Sequence, residues 1–117
     1  MNHAKRRNVN ICQYHVKKGH EAEMEALLAK HWPALRKVGL ASEDPPLIFR
    51  GLPSGKPGDR HGATGVYIEI FSWAQENGPQ LAHETPEIMA IWEPMGAICE
   101  TMDFPLFEPF DPVSPSE

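Results

Sequence analysis

The chain is poor in cysteine: Cys12 and Cys99 are the only two. Two cysteines make no disulfide framework. Both sit among apolar residues, where a free cysteine behaves as a small hydrophobe. The expectation is a pair of inert thiols in a reducing compartment. Long apolar runs are missing as well, and none approaches the ~18 residues that a membrane helix needs. The first residues carry no hydrophobic leader, so the expectation is a cytoplasmic protein without a membrane partner. Positive charge is scarce: 11 Lys and Arg face 16 Asp and Glu, for a formal net charge of −5. A general binder of phosphate backbones needs a basic surface, so no nucleic acid partner is expected. The one basic cluster, Lys5-Arg6-Arg7, lies in a polar terminal segment. Metal-ligand spacing is missing too. His15, His31, His61 and His83 are scattered, with no H-x-x-x-H and no C-x-x-C, so no metal site is expected. Gly55-Lys56-Pro57 makes no P-loop, and there is no dinucleotide fingerprint and no G-x-S-x-G elbow.

What is present is alternation. Gly65 to Trp73, GVYIEIFSW, sets Val66, Ile68 and Ile70 on one face and Tyr67, Glu69, Phe71 and Trp73 on the other. A period of two in β-branched and aromatic residues predicts a strand, and two apolar faces predict a central one. Glu69 stands alone among aromatics, and a carboxylate there has to be solvated, paired or hydrogen-bonded. Val9 to Val16 alternates in the same way and predicts the first strand. From His20 to Val38 a wide apolar stripe (Met24, Leu27, Leu28, His31, Trp32, Leu35, Val38) predicts a long helix that runs past Pro33. Gly39 is placed to end it. Leu47 to Leu52 is a short strand, and residues 53–64 are a glycine- and proline-rich loop. After the central strand comes a short helical piece over Ala74 to Ala82. A second long helix opens at Thr85-Pro86, with Thr85 as N-cap. Its stripe runs through Ile88, Ile91, Trp92, Met95, Ile98, Cys99 and Met102. Phe104 to Phe107 reads as the last strand.

The order is strand, helix, strand, strand, helix, strand. It predicts an α+β, ferredoxin-like βαββαβ sandwich, with a four-stranded antiparallel sheet covered by helices on one face. The domain spans 9–108, between a flexible segment 1–8 and a proline-rich tail 109–117. The aromatic side of the central strand is expected to form the far face, where a second subunit buries it in a homodimer.

The order of elements and the stretch YIEIFSWAQENGPQLAHETPEIMAIWEPMGAICE, Tyr67 to Glu100, resemble antibiotic biosynthesis monooxygenase-like domains of the dimeric α/β-barrel superfamily. The resemblance implies a homodimer with a pocket between sheet and helices in each subunit. It also implies activities that include cofactor-independent oxygenation of aromatic, polyketide-like compounds. The haem-degrading branch resembles this chain less. That branch has a tryptophan in the short helix and a histidine in the next, whereas Trp73 falls at a strand end and the second long helix has no histidine. No cofactor is therefore expected.

Two function classes follow. One is a cofactor-independent monooxygenase, or related proton-abstracting enzyme, acting on a small aromatic or enolic metabolite. The alternative is a non-catalytic homodimer that binds a small apolar or aromatic ligand or serves a structural role. The expected catalytic residues are His15, Glu69 and His83. If the first and third strands share a face, His15 beside Glu69 makes an imidazole–carboxylate pair able to take a proton from a phenol or enol. Gln13, His31, Arg50, Tyr67, Trp73 and Trp92 are the expected ligand-binding residues, with Arg50 placed to meet an anionic ligand or pair with Glu69.

Overall fold

The computed structural model describes residues 9–55, 62–105, 107 and 110–112. The expectations for segment 1–8, half of loop 53–64 and most of the tail lie outside the described residues. Four strands and three helices follow one another: β1 Val9–Val16, α1 Glu21–Lys37, β2 Leu47–Arg50, β3 Val66–Ser72, α2 Gly78–His83, α3 Pro86–Ile98 and β4 Cys99–Asp103. The sheet order is β2-β3-β1-β4, and every pairing is antiparallel. The helices cover one face, giving the ferredoxin-like α+β architecture read from the sequence.

Each helix lies where its stripe predicts. α1 buries Met24, Leu28, His31 and Leu35, and α3 buries Ile88, Ile91, Met95 and Ile98. Glu21 and Glu23 in the first turn of α1, and Arg36 and Lys37 in its last, complement the helix dipole. Gly39 follows the helix at φ +80°, and its N–H and that of Leu40 bond back to the carbonyls of Arg36 and Leu35. Only glycine holds that left-handed turn without strain. α3 starts at Thr85 as expected, but the Thr85 hydroxyl does not cap it. The hydroxyl donates to the Leu81 carbonyl at 2.7 Å instead, tying α3 back to α2.

Two expectations are corrected. The last strand is Cys99–Asp103, directly after α3, and not Phe104 to Phe107. Cys99 has extended backbone angles and pairs with Val16, while Met102 pairs with Tyr14, so the helical stripe stops at Ile98. Pro105 has no N–H to offer a ladder, and the strand ends before it. The second correction concerns the faces of the sheet. Tyr67, Glu69 and Phe71 are buried under the helices, and Val66, Ile68 and Ile70 face away from them. The aromatic side is the core side because the space between sheet and helices takes the larger rings, which leaves branched aliphatics outside. In register with them on the open face are Leu47 and Phe49 of β2 and Ile11, Gln13 and His15 of β1. Leu47 and Phe49 remain more than half exposed, at 57% and 53%.

Candidate functional site

Strand parity decides which side chains meet. On β1, Asn10, Cys12, Tyr14 and Val16 point to the helices. Gln13 and His15 therefore lie on the open face, opposite Ile68 and Val66, and make a mutual contact of 3.3 Å. Glu69 lies on the other side, opposite Cys12. The expected His15–Glu69 pair is not formed, because the two residues belong to opposite faces of one sheet.

The histidine of Glu69 is His31. The α1 stripe carries it onto the buried face of β3, where its Nδ1 lies 2.9 Å from each carboxylate oxygen. The Tyr14 hydroxyl donates to Glu69 Oε1 at 2.7 Å. From α3, the Trp92 indole N–H donates to His31 Nε2 at 2.8 Å. His31 is 2% exposed and Glu69 0%, so this network is shielded from solvent. The donors fix the protons. An indole N–H can only donate, so Nε2 is an acceptor and the imidazole proton sits on Nδ1. Nδ1–H and the Tyr14 hydroxyl then both donate to the carboxylate, the arrangement of an ionised carboxylate beside a neutral imidazole. Burial, and then the charge of Glu69, push the Tyr14 phenol far above its ordinary range. Burial also pushes the Cys12 thiol up to about 12. Neither side chain is a nucleophile near neutral pH.

This network forms part of the wall of a cavity of about 510 Å³ between the sheet and the helices. β1 contributes Asn10, Cys12 and Tyr14, and α1 contributes His31. Trp73, Pro79 and His83 close one side, and Met89, Trp92 and Met95 of α3 another. Met102, Phe104 and Glu93 complete the wall, which apart from Glu93 and a few polar atoms is apolar. The Trp73 ring is positioned by Gly78, whose hydrogen leaves room that a methyl group would take from the indole. His83 is exposed at the end of α2, and its ring meets Trp92 edge-on at 4.9 Å. Among the described residues, no cluster of three or more His, Cys, Asp or Glu is placed to hold a metal ion.

The expected residues thus divide into three places. His31, His83, Trp73 and Trp92 line the cavity, with Glu69 behind His31. Gln13 and His15 are on the open face. Arg50 and Tyr67 flank a shallower depression of about 400 Å³. There, both donate to Glu25, Arg50 at 3.0 Å and Tyr67 at 2.6 Å, so Arg50 does not pair with Glu69. Sequence reasoning passed over Asn10, Tyr14 and the methionines of the wall. One signal for the network was available: a histidine in the buried stripe of α1 needs a partner, and Glu69 is the one acidic residue among the buried positions of β3.

No protein-family model and no curated sequence matches this chain. Solved structures do. SnoaB, a cofactor-independent oxygenase from Streptomyces nogalater, superimposes with a TM-score of 0.62 at 18% identity, covering 90% of this chain and 95% of that one. A NIPSNAP family protein from Agrobacterium tumefaciens gives 0.60 at 14% identity, covering 88% and 85%. An antibiotic biosynthesis monooxygenase gives 0.59 at 14% identity, covering 86% and 98%. At such identities the likeness is one of fold: the chain shares with these structures an α+β fold, a four-stranded antiparallel sheet with helices on one face. Among the described residues, no helix is long and apolar enough to cross a membrane.

Proposed function

We propose that this protein is a cofactor-independent oxygenase, or a related proton-abstracting enzyme, acting on a small aromatic or enolic metabolite in the cavity beside His31. The observation that carries the reading is the buried carboxylate–imidazole pair at the wall of an apolar cavity. Glu69 holds the proton on Nδ1, which leaves Nε2 as the basic atom. A phenol or enol whose hydroxyl takes the place of the Trp92 indole gives its proton to Nε2. The imidazolium so formed sits between Glu69 and the new oxyanion, and the carboxylate stabilises it. With dioxygen as co-substrate, the electron-rich anion supplies the electrons. The anion's carbon bonds to one oxygen atom, and loss of the remaining hydrogen on that carbon with cleavage of the O–O bond leaves a carbonyl. A CH2 carbon thus supplies all four electrons, and its two hydrogens leave with the other oxygen atom as water. The apolar wall keeps solvent from the reacting anion. The fold shared with SnoaB is compatible with this chemistry, but a fold hosts many functions and the argument rests on the site.

The protein acts as a homodimer joined through the open sheet face, where Leu47, Phe49, Ile68 and Ile70 offer an apolar patch. Gln13 and His15 are residues of that interface in this reading. Two buried free thiols fit a reducing, cytoplasmic setting. The second reading is a non-catalytic ligand-binding dimer. The Trp92 indole favours it, since it occupies the basic nitrogen of His31. An oxygen electrode separates the two. With anthrone, a flat enolisable ketone, and a metal chelator present, the first reading expects oxygen uptake that depends on protein and is lost in His31→Gln. Binding of anthrone without oxygen uptake supports the second.

A further inference from the structure

We infer that Trp92 is a gate on His31, and that the cavity favours uncharged aromatic hydroxyl compounds over aromatic carboxylates and hydrocarbons because a neutral ring hydroxyl can take the place of the indole as hydrogen-bond donor. The inference deepens the reading of the cavity as a ligand site and rests on it. His31 Nδ1 is held by Glu69, so Nε2 is the one position left for a ligand, and the Trp92 N–H occupies it at 2.8 Å. A ligand that engages His31 has to displace the indole. Trp92 is suited to that exchange. It is half-buried at the edge of the core, and one flank meets the exposed ring of His83 at 4.9 Å. Swinging outward disturbs a rim, whereas moving Tyr14 or Glu69 breaks into the core.

The replacement must itself donate a hydrogen bond. The tautomer that Glu69 imposes leaves Nε2 a bare acceptor, which a ring hydroxyl satisfies and a carbonyl or ether oxygen does not. Charge narrows the choice further. Glu69 is buried and its partners are neutral, Glu93 stands at the cavity wall, and no lysine or arginine lines the cavity among the described residues. An anionic ligand would meet like charge in a low-dielectric space with no cation to offset it. A carboxylate is therefore excluded where a neutral phenol is accepted.

The test uses three ligands with one ring system: a naphthol, a methylnaphthalene and a naphthoate, at neutral pH. The whole protein carries nitrogen-15 and carbon-13 and is followed by NMR, with the Trp92 indole and His31 ring resonances assigned through the sequential backbone assignment of the parent chain. The naphthol is expected to shift the Trp92 indole N–H and the His31 Nε2 signals, while methylnaphthalene leaves the contact between them intact. The naphthoate should bind at least about tenfold more weakly than the naphthol, the scale of one like-charge contact in a partly screened site. In Trp92→Phe, one competing hydrogen bond is gone, so naphthol affinity should rise about fivefold relative to that of methylnaphthalene. If the naphthol binds with the Trp92–His31 contact undisturbed, or the naphthoate binds as tightly as the naphthol, the inference is wrong while the cavity remains a ligand site. If none of the three binds, the ligand-site reading itself falls. The wild-type titration gives these outcomes even if the variant does not fold.

Discussion

At the scale of single residues, Glu69 is a carboxylate held in the core from two sides. It is fully buried, charged and satisfied by Tyr14 and His31. Burying a carboxylate is tolerated only while its donors stay in place. Tyr14→Phe removes one of them and should cost about 1–2 kcal/mol of stability, read from denaturant unfolding. The buried acids also set an alkaline limit. Burial raises Cys12 from 9.0 to about 12 and, with the Glu25 carboxylate, raises Tyr67 from 10.0 to about 12. Tyr14 moves in the same direction. Each group binds its proton more tightly folded than unfolded. The stability this gives is complete below the unfolded values and is lost as pH rises through the folded ones. Unfolding followed against pH should therefore show a decline that starts near pH 9 and continues to about 12. Tyrosinate absorbance from Tyr14 should appear together with the loss of structure.

At the scale of elements, two glycines serve different ends. Gly39 lies at φ +80° with open space where a Cβ would go, so Gly39→Ala carries a backbone cost alone, roughly 1–2 kcal/mol. Gly78 has ordinary angles but lies against the Trp73 ring. Gly78→Ala should push that ring toward the cavity, cost about 1–3 kcal/mol, and weaken binding of any aromatic probe. Thermal or denaturant unfolding checks both, and probe titration separates them. The elements themselves were largely legible, because amphipathic stripes and strand alternation are local patterns. The strand β3 was plain from its alternation. Which of its faces meets the helices was not, since Tyr67-Glu69-Phe71 and Val66-Ile68-Ile70 are both apolar enough to be covered. The register between β1 and β3 was not legible either, and it is the register that sets His15 beside Val66 and leaves Glu69 to His31. The end of α3 was hidden for a different reason. Cys99 and Met102 continue the helical spacing of Ile88 to Ile98, and only the pairing with β1 draws them into a strand. Tyr14 and Asn10 were out of reach without the register between β1 and β3.

For the molecule as a whole, the open sheet face is the feature that asks for a partner. Leu47, Phe49, Val66, Ile68 and Ile70 lie in register across β2 and β3 with no helix over them. A single charge at the centre of that patch should disrupt a sheet-to-sheet dimer. Ile68→Lys is expected to give a monomer in sedimentation or size-exclusion measurements where the parent chain gives a dimer. The cavity lies on the other side of the same sheet, so the monomer should keep its His31–Trp92 contact, visible in the indole N–H spectrum. The proposed dimer contact and the proposed site thus lie on opposite faces of one four-stranded sheet.

The central claim is that His31, oriented by Glu69, removes a proton from a ligand in the cavity. It is tested most directly by hydrogen exchange. Anthrone, whose enol form carries the ring hydroxyl that His31 deprotonates, is incubated with the protein in deuterated water without oxygen, and deuterium entering at carbon as the anion returns to the ketone is followed by NMR. The account predicts exchange faster than the buffer reaction and slower by about a hundredfold or more in His31→Gln, the scale of a lost general base. Exchange that the protein does not accelerate, or that proceeds equally in His31→Gln, contradicts it.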